Sequence, residues 1–163
     1  MMLTTDVTIS DALSSEVAES GDDDVPEPGL LQSWAAAAYR DKKPAVASLL
    51  VTTADEIQQL NKQYRDKDKA TNVLSFPMQS PEEVDVCLLG DIILCAAVIK
   101  DEAGQQAKSS EAHWAHMVVH GMLHLQGYDH IDNDDATEME QLEISILAQL
   151  GFGNPYEYST NKA

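Results

Sequence analysis

Three histidines in the stretch HGMLHLQGYDH, at His120, His124 and His130, have the type and spacing to bind a metal. Residues four apart on a helix differ by about 40° around the axis and about 6 Å along it. His120 and His124 can therefore converge on one ion. Gly127 can take the left-handed conformation that ends a helix, after which the chain turns back and His130 can offer a third nitrogen. Structural zinc sites are usually closed by four protein ligands, whereas catalytic sites keep one position for water. Three histidines predict a catalytic centre holding one Zn²⁺, although three imidazoles also suit nickel, copper or iron.

The residue after His120 limits the chemistry. Zinc peptidases of the His-Glu-x-x-His type use the glutamate to take a proton from water, and here the position is Gly121. A metal can still lower the pKa of water to about 7 and polarise a phosphoryl oxygen, so a phosphodiester is favoured over an amide. Asp129, Asp132, Asp134 and Asp135 are read in two ways: as a base or a partner of His130, or as turn and cap residues. His113 and His116 are read as hydrogen-bonded core residues, with His116, four before His120, also placed to support the site from behind.

These side chains need a helix to carry them. Met117, Val118, Val119, Met122, Leu123 and Leu125 go nearly all round the segment, which marks a buried central helix beginning near Ser110, with the Ser110 hydroxyl as its cap. Upstream, a short N-terminal strand leads to an acidic stretch over about residues 14–29, read as a mobile loop. A helix from about Leu30 to Tyr39 and the strand AVASLLVT follow. Thr53 and Glu56 have capping-box spacing before ADEIQQLNKQYR, whose Ile57, Leu60 and Tyr64 share an apolar face, leaving Arg65 at the helix end. TNVLSFP and VCLLGDIIL read as strands. Helices are expected from Ala96 to about Ala107 and from about Ala136 to Leu150, the last turning Met139, Leu142, Ile146 and Leu150 inward and stopping at Gly151.

The whole chain of 163 residues is expected to be a single α+β domain: a small mixed four-stranded sheet packed with five to six helices. Cys87 and Cys95 are expected to be buried thiols without a disulfide. No apolar run approaches a membrane span and no secretion signal opens the chain, so a cytoplasmic location is expected. The net charge of −18 weighs against a nucleic-acid ligand, but Lys62, Arg65, Lys67 and Lys69 cluster in NKQYRDKDK. On charge alone that cluster reads as a solvated helix end. Few aromatic residues are present for stacking on bases: Trp34, Trp114, Phe76, Phe152 and the tyrosines.

YRDKDKATNVLSFP, LLGDIIL and HGMLHLQGYDH, in that order along the chain, resemble the YbeY family of bacterial endoribonucleases over roughly Val46 to Tyr156. The resemblance implies a zincin-like metal helix, His120, His124 and His130 as zinc ligands, and Arg65 as a catalytic arginine beside the metal cleft. It also implies cleavage of single-stranded RNA, maturation of the small-subunit (16S) ribosomal RNA near its 3′ end, and late-stage ribosome quality control. The partners it implies are ribosomal RNA and the small ribosomal subunit, together with ribosomal proteins and a ribosome-associated GTPase, and neither membrane nor DNA. An arginine fits independently, because a guanidinium can hold two phosphate oxygens and offset charge in the transition state. Lys62, Lys67 and Lys69 are weaker candidates for guiding the RNA backbone. Three other readings stand beside this one: a zinc metallopeptidase, a hydrolase of small phosphoesters, and a non-catalytic ribosome assembly factor stabilised by zinc.

Overall fold

The computed structural model of the chain describes residues 3–11, 13, 25–78, 85–129 and 132–156. Among these residues four strands form one mixed sheet: β1 (Leu3–Ile9), β2 (Ala45–Thr52), β3 (Val73–Pro77) and β4 (Cys87–Cys95), in the order β1-β2-β4-β3. β1, β2 and β4 run parallel, and β3 pairs antiparallel with β4 as an edge strand. Alternation along each strand decides which side faces which core. Ala45, Ala47, Leu49 and Val51 of β2, with Ile92 and Leu94 of β4, enter the main core. Ile93 and Cys95 point the other way and meet Ile57 and Leu74 in a smaller one.

Among the described residues five helices accompany the sheet: α1 (Pro28–Ala38), α2 (Ala54–Arg65), α3 (Ala96–Gln105), α4 (Ser110–Leu125) and α5 (Asn133–Gln149). The α+β architecture is as the sequence implied. α4 is the hub, packed against α1, α3, α5, β3 and β4. Trp114, Val118, Val119, Met122 and Leu123 are all buried on it. Among the described residues no helix is long and apolar enough to cross a membrane.

Several boundaries differ from expectation. α1 begins at Pro28, where the missing proline N–H costs nothing in a first turn. Residues 14–24 of the expected acidic loop lie outside the described residues. α4 is capped by Ser109, not Ser110: the Ser109 hydroxyl accepts from the Ala112 N–H at 3.1 Å. A cap must come from the residue just outside the helix to reach the third N–H. α5 starts at Asn133, three residues early, because Asp132 accepts from the Asp135 N–H at 2.8 Å. Met139 and Ile146 are buried as expected, whereas Leu142 and Leu150 are only half-buried and Glu143 and Leu147 fill the stripe.

At the start of α2 the Thr53 hydroxyl accepts from the Glu56 N–H at 3.2 Å, but the Glu56 carboxylate is taken by the Thr52 hydroxyl. Half of the capping box therefore forms. Tyr64, expected to face inward, is 60% exposed. The small core that α2 covers ends before its last turn, and Asn61 takes the buried place with its side-chain amide on the Lys69 carbonyl at 3.0 Å. Cys95 is buried and Cys87 half-buried, neither in a disulfide.

Candidate metal centre and cleft

His120 and His124 lie one turn apart on α4, at the wall of a cleft of about 660 Å³ that is also lined by Arg65, Lys67, Lys69 and Asp129. Both imidazoles are oriented from behind. His120 Nδ1 is 2.6 Å from a Glu143 carboxylate oxygen, and His124 Nδ1 is 3.0 Å from the Tyr128 carbonyl. A carboxylate and a carbonyl can only accept, so each Nδ1 carries the proton. The two Nε2 atoms therefore meet, 3.0 Å apart, with lone pairs toward each other. Between neutral imidazoles that meeting is repulsive, and a cation between them makes it favourable. The spacing suits two ligands on one ion at about 2.0–2.1 Å each.

The turn after α4 holds His124 in this pose. Gly127 has φ of 99°, its N–H donates to the His124 carbonyl at 3.0 Å, and the Tyr128 N–H donates to the Leu123 carbonyl at 3.0 Å. This pair of bonds is the Schellman arrangement, which glycine favours at the left-handed position. His130 lies outside the described residues.

Ligand atoms of His116, His120 and Glu143 lie within 4.8 Å of one another, so these three could also hold a metal ion. Their bonds show a different organisation. Glu143 is fully buried, and its carboxylate receives His116 Nε2 at 3.0 Å, His120 Nδ1 at 2.6 Å and the Tyr156 hydroxyl. Burial pushes the Glu143 carboxyl up, but the hydrogen bonds from His116 and His120 outweigh it and hold the group down to about 2. Burial lowers His116 despite its bond to Glu143. His113, buried with its Nε2 2.8 Å from Glu102, is lowered by burial to about 4. His113 is thus the core histidine expected, and His116 stands behind His120.

Glu143 was not singled out from the sequence. Its signal was available: an acid between Met139, Ile146 and Leu147 interrupts the apolar stripe of α5.

Arg65, at the end of α2, reaches over β3. Its guanidinium donates to the Ser75 carbonyl and lies 5.0 Å from the centre of the Phe76 ring. Ser75 takes one of five N–H donors, so the group is pinned while keeping donors for a ligand. Tyr64 packs edge-on to Phe76 at 5.5 Å, so the ring beside the Arg65 guanidinium belongs to an aromatic pair that the sequence did not suggest. Lys67 and Lys69 line the cleft, whereas Lys62 sits in an exposed pair with Asp68 at 3.8 Å. Of the four acids left open, Asp132 caps α5, Asp134 and Asp135 occupy its first turn, and Asp129 alone borders the cleft.

Gly121 lies on the opposite side of α4 from solvent, against β4. A Cβ built there would lie 2.9 Å from Ile92 Cγ2. The position of a peptidase glutamate is thus closed by packing.

Known proteins resemble this chain in sequence and in fold. The family model described as Endoribonuclease YbeY matches residues 29–151. A protein named Endoribonuclease YbeY from Idiomarina loihiensis is 51% identical over 140 residues, covering 83% of this chain and 86% of its own. One of the same name from Cellvibrio japonicus is 46% identical over 140 residues, covering 85% and 79%. A solution structure of a Thermotoga maritima protein shares the fold at a TM-score of 0.51 and 21% identity, covering 94% of this chain and 99% of that one.

Proposed function

This chain belongs to the Endoribonuclease YbeY family, and on that premise we propose that it is a zinc-dependent endoribonuclease that cuts single-stranded RNA. The observation that carries the reading is the facing pair of Nε2 atoms of His120 and His124 in the same cleft as Arg65. His130 completes the ligand set in this proposal, and one Zn²⁺ is the ion. When bound, the ion supplies Lewis acidity toward a phosphoryl oxygen and makes water more acidic.

The chain's own residues do the rest. Arg65, fixed by the Ser75 carbonyl and the Phe76 ring, offers its remaining donors to the phosphate as charge builds on its oxygens. Lys67 and Lys69 draw the backbone into the cleft of an otherwise acidic protein. Glu143 and Tyr128 fix the tautomers of His120 and His124. Asp129 is the carboxylate at the cleft wall to which a base role falls.

The substrate we propose is small-subunit ribosomal RNA near its 3′ end, with a role in late-stage ribosome quality control. The partners are the small subunit, its proteins and a ribosome-associated GTPase, in the cytoplasm. Residues 1–163 act as one domain. A peptidase is disfavoured by the contact of Gly121 with Ile92.

The deciding experiment is cleavage of an end-labelled single-stranded RNA by zinc-loaded protein beside Arg65→Ala of equal metal content. Cutting by the first and not the second is expected. Equal cutting by both would remove Arg65 from the mechanism. RNA binding without cutting by either would favour the assembly-factor reading. Product ends then identify the nucleophile: a 2′,3′-cyclic phosphate means attack by the RNA's own 2′-hydroxyl, and a 5′-phosphate with a 3′-hydroxyl means attack by water.

A further inference from the structure

A carboxylate with no exposed surface is costly unless every oxygen is engaged, and the apolar stripe of α5 would pack without one. Glu143 occupies that stripe, 0% exposed, between Met139, Ile146 and Leu147. Three donors from two other segments converge on it: the His116 and His120 rings of α4, and the hydroxyl of Tyr156 beyond α5. The short 2.6 Å contact goes to His120 Nδ1, the nitrogen across the ring from the Nε2 that faces His124.

His116 is held at a cost. Its Nε2 must donate to the carboxylate, which leaves Nδ1 as a buried acceptor with no hydrogen-bond partner. A residue kept in that state serves the carboxylate it donates to. The two candidate ligands also differ in support. His124 rests on a neutral carbonyl, whereas His120 rests on an anion. A proton held by an anion leaves more electron density on the opposite nitrogen.

We propose that Glu143 is the positioning residue of the metal centre: it fixes the tautomer and direction of His120 and strengthens its Nε2 as a ligand, with His116 and Tyr156 holding the carboxylate in place. The proposal rests on the reading that His120 binds a metal. It gives the His116, His120 and Glu143 cluster the role of a support, not of a second ion site.

The test is zinc affinity of the full chain, by competition with a chromophoric chelator, for wild type, Glu143→Gln and His124→Ala. Gln keeps the size and one acceptor while removing the charge. Glu143→Gln should weaken zinc binding by about 10- to 100-fold, and its RNA cutting should return at saturating zinc. Unchanged affinity in the folded variant would overturn the proposal. Loss as complete as in His124→Ala, with no recovery at high zinc, would overturn it by making Glu143 itself a ligand. If Glu143→Gln does not fold, Tyr156→Phe takes its place, since it only loosens the carboxylate: weaker zinc binding supports the proposal and unchanged binding refutes it. Wild type that binds no zinc would sink the metal reading together with this one. Wild type that binds zinc but never cuts RNA would leave Glu143's role intact while the ribonuclease reading fails.

Discussion

Gly121 and Ile92 touch where α4 crosses β4, with 2.9 Å between Ile92 Cγ2 and the place a Cβ would occupy. Ile92 is fully buried and β-branched, so it has little room to swing away. Gly121→Ala should therefore destabilise, although alanine is the better helix former by about 1 kcal/mol, because overpacking a core costs about 1–3 kcal/mol. With Ile92→Ala in the same chain, the combined loss should come to less than the sum of the two single losses. A stabilised Gly121→Ala in urea unfolding would show the contact to be slack. Gly121→Glu should unfold the protein rather than convert it to a peptidase.

Arg65 should matter for turnover and not for metal content. Losing a preorganised donor to a charged transition state costs about 2.7–4 kcal/mol, or roughly 100- to 1,000-fold in rate. Arg65→Lys should recover little, because an ammonium can neither fork around a phosphate nor lie flat on Phe76. Single-turnover rates at matched zinc occupancy measure this. A lysine variant with wild-type rates would reduce Arg65 to a point charge.

Metal should stabilise the fold through the two facing histidines. Zinc at about 100 times its Kd contributes about 2.7 kcal/mol when only the folded state binds. Melting temperature should rise on adding zinc and fall back with a chelator. His124→Ala should lose that increment while its metal-free melting stays close to wild type. An increment that survives in His124→Ala would move the ion to the other side of His120.

Acid should weaken the metal-free protein in two stages. Burial holds His113 at about 4 and lowers His116, while an unfolded histidine titrates near 6.5. Between those values the unfolded chain binds more protons than the folded one, so stability falls as pH drops from about 6.5 toward 4. Glu143, held at about 2 against an ordinary 4.5, adds stability above 4.5 that is lost as pH falls toward 2. Urea unfolding across this range should show the first loss, and His113→Asn should reduce it. A flat profile from neutral pH to about 4.5 would contradict the buried neutral histidines.

Features set by neighbours in sequence were legible from it. The pairing of His120 with His124 follows from helical spacing, and Gly127 from the turn it must make. Features set by packing were not. Glu143 is 23 residues from His120 and meets it only because α5 docks on α4. Phe76 reaches Tyr64 and Arg65 because β3 folds back against β4, a register that no local pattern specifies. The cap of α4 falls one residue early, on Ser109 beside Ser110, whereas Asp132 takes the cap role open to it and starts α5 three residues early. Tyr64 has the right helical phase for the core, yet it lies 60% exposed against Phe76 of the edge strand β3.

The order in which the chain is made gives the carboxylate behind His120 another meaning. Synthesis delivers α4 with both cleft histidines first and α5 with Glu143 later. Until α5 has docked, the His120 ring can turn and present either nitrogen, and it has no anion behind it. If His120 binds a metal as proposed, the half-made chain would grip it weakly, and firm capture would wait for α5 to dock on α4. On that reading metal loading would be a late event in the life of each molecule, timed by the docking of α5.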